Sequence, residues 1–148
     1  MPFRFSLDAP LRLRKSQQRQ QELLVHRIQE QITQTLRELQ AVAKKIAEIS
    51  LNNRDSDSTR AAALHFDLVR REVLERHRAQ VQSRLEKLRE EQAAQFATLR
   101  KMWQRREVLE SLREREKQQH SIMESRRDQQ LQDDLFLMRK YSRRSLPT

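Results

Sequence analysis

Apolar residues recur at steps of three and four along nearly the whole chain, the spacing that keeps side chains on one face of an α-helix. A first run places Leu24, Ile28, Ile32, Leu36, Leu39, Val42, Ile46 and Ile49 in a single stripe. A second run sets Phe66, Val69, Val73, His77, Val81, Leu85, Leu88, Gln92, Phe96 and Leu99 in another, with His77 as a polar residue that helps fix the register of the seam. Between Leu13 and Leu24 the first stripe gives way to Gln17, Gln18, Gln20 and Gln21, a stretch expected to be loosely packed or held by a partner.

The ends of these helices are written in turn chemistry. Asp8 can accept from the free N–H groups of a first turn, and Pro10 is tolerated there because those groups lack intrahelical partners. The run from Leu51 through Asn52, Asn53, Arg54, Asp55, Ser56, Asp57 and Ser58 to Thr59 competes for backbone hydrogen bonds and predicts a reversal, with Asp57, Ser58 or Thr59 capping the second helix. The pattern therefore predicts an all-α fold, an antiparallel two-helix coiled-coil hairpin whose second helix is longer and overhangs. It forms one unit over 1–148, with a helix at about 8–50, a turn at about 51–59 and a helix at about 60–142.

Pivoting near Asp55 would set Ile46 by Leu64, Leu36 by Leu74, Leu24 by Leu85 and Leu13 by Ala97. Roughly 40 residues of the second helix, about 60 Å, would then lack a partner. That stretch carries Met102, Trp103, Val108, Leu109, Leu112, Ile122, Met123, Leu131, Leu135, Phe136, Leu137 and Met138, more apolar surface than a lone helix leaves in water, so it should be covered. The tail Ser145-Leu146-Pro147-Thr148 is expected to fray.

Composition changes the picture mainly by exclusion. None of the 148 residues is glycine, so phosphate-cradling loops, dinucleotide fingerprints and nucleophile elbows lose their usual frames. There is no Cys either, which removes disulfides and thiolate chemistry and agrees with a reducing compartment. The expectation is a non-enzymatic mechanical or scaffolding part without a cofactor or bound metal. Glu116, His120 and Glu124 share a helix face but read as solvated ion pairs rather than metal ligands. No run reaches the length of a membrane span and the start lacks a secretory apolar region, so a cytoplasmic location without direct membrane insertion is expected.

Charge suggests an acidic partner: 31 Lys and Arg stand against 21 Asp and Glu, a net charge of +10. The excess gathers at both ends, in Arg4, Arg12, Arg14, Lys15 and Arg19 and again in Arg139, Lys140, Arg143 and Arg144. The groups Arg105 and Arg106, Arg113, and Arg126 and Arg127 have Glu or Asp close by, unlike an acid-free DNA-binding block, so nucleic acid is not expected as a partner. Trp103 beside Arg105 and Arg106 combines the residue types that dominate interface hot spots, although Trp103 packing over its own hairpin against Leu7 or Leu11 is an equal alternative.

Three segments carry a family likeness: Phe3-Arg4-Phe5-Ser6-Leu7 with Leu11-Arg12-Leu13-Arg14, then Trp103-Gln104-Arg105-Arg106 with Leu109-Glu110-Ser111-Leu112, and lastly Arg127-Asp128-Gln129-Gln130 with Asp133-Asp134-Leu135. In this order they resemble the flagellar FliJ family and its type III secretion counterparts of the YscO kind. The resemblance implies a coiled coil similar to the central stalk of rotary ATP synthases, active in flagellum biogenesis, chemotaxis and protein transport. It would insert into the hexameric flagellar export ATPase, touch the cytoplasmic domain of the export gate protein and help handle export chaperones. Its place would be in the cytoplasm, peripheral to the inner membrane at the flagellar base.

On the same resemblance Leu11, Arg14, Trp103, Arg105, Arg106, Gln129 and Asp133 are the partner-binding candidates. Both termini would enter the ring, and the hairpin end near Asn52 to Thr59 would reach the gate. A homo-oligomeric coiled-coil scaffold whose overhangs cover one another is the competing reading, and a nucleic-acid-associated helical protein the third.

Overall fold

A computed structural model describes residues 1–55 and 61–145, with side-chain environments for 1–52 and 61–145. Two helices make up the fold, α1 (Asp8–Asp55) and α2 (Ala61–Arg144), and they pack antiparallel as an all-α hairpin. Among the described residues there is no strand, and no backbone has positive φ. The described residues thus include no conformation that would need glycine. The cap candidates Asp57, Ser58 and Thr59 and the tail residues Leu146 to Thr148 lie outside the described residues.

The helix ends follow local chemistry. Asp8 opens α1, where its negative charge suits the N-terminal dipole, and its carboxylate holds Arg12 one turn on at 2.8 Å. Pro10 sits in that first turn. Arg143 and Arg144 fill the last turn of α2, the end where cations are favoured. Leu51 through Asp55 are helical, so α1 runs five residues beyond the expected start of the turn.

The residues group into two compact units, Gln18–Lys101 and Met1–Gln17 with Met102–Thr148. In the first of these, the α1 seam is a strict heptad pair. Gln18, Val25, Ile32, Leu39 and Ile46 recur every seven residues, and Gln21, Ile28, Thr35, Val42 and Ile49 recur every seven between them; all are buried or partly buried. From α2 the facing residues are Asp67, Leu74, Val81, Leu88 and Gln95, with Arg78, Leu85, Gln92 and Leu99. Ile28, Ile32 and Leu85 form the buried cluster, with Leu36, Leu39 and Leu88 packed on it.

This seam corrects the sequence reading in several places. Leu24 and Leu13 are exposed, while Gln18 and Gln21 occupy core positions. The glutamine stretch is therefore held by the chain itself: Gln18 Nε2 donates to Glu22 at 2.9 Å and Gln21 Nε2 donates to both the side-chain and the backbone oxygen of Gln95. Thr35 satisfies its hydroxyl by donating to the Gln31 carbonyl at 2.7 Å. Among the described residues, no buried side-chain nitrogen or oxygen is left without a partner.

On α2 the exposed residues are Phe66, Val69, Val73, His77 and Phe96, which were expected in the stripe. Near the hairpin the expected stripe falls beside the seam, and the two coincide at Val81, Leu85, Leu88 and Gln92 and again at Leu99. The pairing shifts accordingly. Gln29 faces Gln92, and Arg84 pairs with Glu38, so α1 residues meet partners further along α2 than a pivot at Asp55 would give.

In the other unit, Phe5 and Leu11 are buried, and Phe3, Arg14, Lys15 and Gln17 are partly buried. Met102, Arg106, Leu109, Glu110, Glu116, His120 and Glu124 are partly buried on α2. The Phe3 ring meets His120 edge-on, with centroids 5.6 Å apart at 61°. The Glu116, His120 and Glu124 face is thus partly covered, and His120 Nε2 lies 3.7 Å from Glu124 Oε1, in line with the expected pairing. Exposure becomes continuous only from Ser125, which leaves about 30 Å of helix to Arg144 without a cover, half of what the shorter register implied.

Candidate interaction surfaces

What a helical pair of this kind offers chemically is surface. Among the described residues, no group of three or more His, Asp or Glu is placed to hold a metal ion. No described helix is long and apolar enough to cross a membrane.

Three exposed surfaces stand out. In the unit Gln18–Lys101, Phe66, Val69 and Val73 project to solvent from one face of α2, with Phe66 66% exposed. Their spacing of three and four is that of a helix that presents anchors to a groove. Sequence reasoning missed this surface because it assigned these residues to the core. The available signal was the competing heptad phase through Asp67, Leu74 and Val81, whose polar members hid it.

The second surface lies in the other unit around Trp103, which is 50% exposed. Arg105 is exposed, and Arg106 is partly buried, donating from Nε to Glu110 Oε1 at 3.2 Å. Lys15 Nζ reaches the same oxygen at 3.4 Å. Burial by itself raises the Glu110 pKa, but the Arg106 and Lys15 cations outweigh it and hold the carboxyl below its ordinary value of 4.5. Arg106 is therefore committed within the chain, and Glu110 locks α2 to the N-terminal segment. Trp103 and Arg105 lie on opposite flanks of this lock, since two residues turn a helix by about 200°. The Trp-Arg cluster of the sequence is in fact two surfaces beside a seam, with Val108 and Leu112 exposed on the Arg105 side.

Of the remaining candidates, Leu11 is 1% exposed and belongs to the core of its unit, so it supports this surface and does not present itself to a partner. Arg14 is partly buried. Gln129 and Asp133 are exposed on the third surface, the uncovered end of α2, where Leu131, Leu135, Phe136, Leu137, Met138 and Tyr141 are exposed too. An exposed apolar run of this density marks an interaction site.

Comparison with known protein families gives a match to the model described as Flagellar FliJ protein, over residues 3–146. No curated protein and no solved structure matches the chain.

Proposed function

The chain belongs to the FliJ family of flagellar proteins, a non-enzymatic component of flagellar protein export, and from that premise we propose that it is the stalk that links the export ATPase ring to the export gate. The observation that carries the proposal is that each of the two units bears its own exposed apolar surface on a helical pair whose polar core is internally satisfied. Such a body is suited to holding two partners and transmitting position between them, with no chemistry of its own.

In this reading the unit that contains both termini enters the hexameric ATPase. Trp103 and Arg105 make direct contact, with Gln129 and Asp133 further along α2. Leu11, Arg14 and Arg106 act behind them, since the buried leucine and the Glu110-bound arginine hold the two helices together. Phe66, Val69 and Val73 are the anchors for the cytoplasmic domain of the gate protein. Export chaperones are further partners, and the protein works in the cytoplasm at the flagellar base, peripheral to the inner membrane. Coupling is mechanical and electrostatic: arginines meet carboxylates at the ring, where electrostatic complementarity fixes orientation.

The test is reciprocal. Co-purification with the export ATPase and with the gate domain is compared for Trp103→Ala with Arg105→Glu and for Phe66→Asp with Val73→Asp. The first variant should lose the ATPase and its stimulated turnover while keeping the gate; the second should do the reverse. Retention of both partners by both variants would sink the proposal.

A further inference from the structure

The uncovered end of α2 has a face, a charge pattern and a continuity that together say what fits on it. Glu124 is the last partly buried residue of the face packed against the N-terminal segment. Leu131, Leu135 and Met138 follow it at steps of seven, four and three, which keeps all of them within about 40° of that face. The seam therefore runs on past Glu124 as a mainly apolar strip, broken by Asp128, that no described residue covers.

The charges around the strip are divided along its length. From Glu124 to Asp134 there are four acids and two arginines, whereas from Leu135 to Arg144 there are four bases and no acid. A helix divided in this way attracts a reversed copy of itself and repels a parallel one. With Leu131 of one chain against Leu135 of the other, an antiparallel arrangement sets Asp128 against Met138 and next to Arg139, twice by symmetry.

We propose that Ser125–Arg144 is a self-association surface, on which the same segment of a second copy pairs antiparallel through Leu131, Leu135 and Met138. Gln129 and Asp133 fall on the far side of the helix; the pairing is a state of the free chain, to be exchanged for the ring, and is measured without the ATPase present.

The chain has no cysteine, so cysteines introduced into the full protein report cleanly. Mixed Leu131→Cys and Leu135→Cys chains should cross-link to each other at least tenfold faster than either does to itself, since only an antiparallel pair brings the two positions together. By sedimentation, Asp128→Arg should weaken the dimer at least tenfold, and adding Arg139→Asp to the same chain should restore it. A sedimentation profile that stays monomeric at every concentration overturns the proposal. So does preferential linking of position 131 to itself, or binding of the monomer to anionic vesicles without any dimer.

Discussion

Val81 and Val73 lie eight residues apart on α2, and an apolar pattern treats them alike, yet Val81 is 2% exposed and Val73 is 60% exposed. Valine to alanine removes two methyl groups, worth about 0.8 kcal/mol each when buried, plus a term for the cavity that remains. Val81→Ala should therefore cost about 1.5–2.5 kcal/mol. Val73→Ala gives up little burial and gains the better helix propensity of alanine, so it should lie within about 0.5 kcal/mol of the parent on either side. For a chain of this size each kcal/mol moves the midpoint by about 2–4 °C. Thermal and urea unfolding followed by helical circular dichroism would then show Val81→Ala melting about 3–10 °C lower and Val73→Ala nearly unchanged. Equal losses for the two variants, or a larger loss for Val73→Ala, would refute the seam described here.

Two further expectations concern charge. Arg84 and Glu38 bridge α1 and α2 at half-exposed positions, so a double-mutant cycle with alanine at both should return a coupling of about 0.2–1 kcal/mol that shrinks in 1 M salt, and zero coupling at low salt would show that the pair is not formed in solution. Glu110 has a lowered pKa in the folded protein, so its contribution is fully present above its unfolded value near 4.5 and is lost as pH falls through the lowered folded value. The stability difference between the parent and Glu110→Gln should accordingly be constant at neutral pH and narrow below about pH 4.5; a difference that widens on acidification would contradict the Arg106 and Lys15 lock.

The helices themselves were legible in the sequence. Their signals are redundant: steps of three and four over dozens of residues, no glycine, and one cluster of turn formers. The seam was not, because α2 near the hairpin carries two apolar phases. Phe66, Val69 and Val73 form the more apolar one, and the seam runs through Asp67, Leu74 and Arg78 instead. Hydrophobicity alone prefers the first. The second follows from the partner helix, whose strict heptad from Gln18 to Ile49 includes Gln21 and Thr35, polar residues that only their tertiary hydrogen bonds and back-bonding make tolerable in a core.

For the candidate surfaces the same distinction holds. The end of α2 could be read from the apolar pattern, which left it without a partner helix, whereas Trp103 was left between a partner surface and packing against Leu7 or Leu11 until the structure showed it half-exposed. The role of Leu11 could not, because an apolar residue near a terminus looks alike whether it meets a partner or its own second helix. Likewise Arg106 looked available until Glu110, one turn on, was seen to receive both it and Lys15.

Trp103 is the one tryptophan in the chain, half-exposed on the surface proposed to meet the ring, and its fluorescence is therefore the most direct reporter of the central claim. Titration with the assembled export ATPase hexamer should shift its emission to the blue with saturation, as the indole leaves water, and Arg105→Glu should weaken that titration at least tenfold. Emission that stays unchanged while sedimentation shows the complex forming would mean that the ring is met by another surface, and the stalk assignment of this unit would fall.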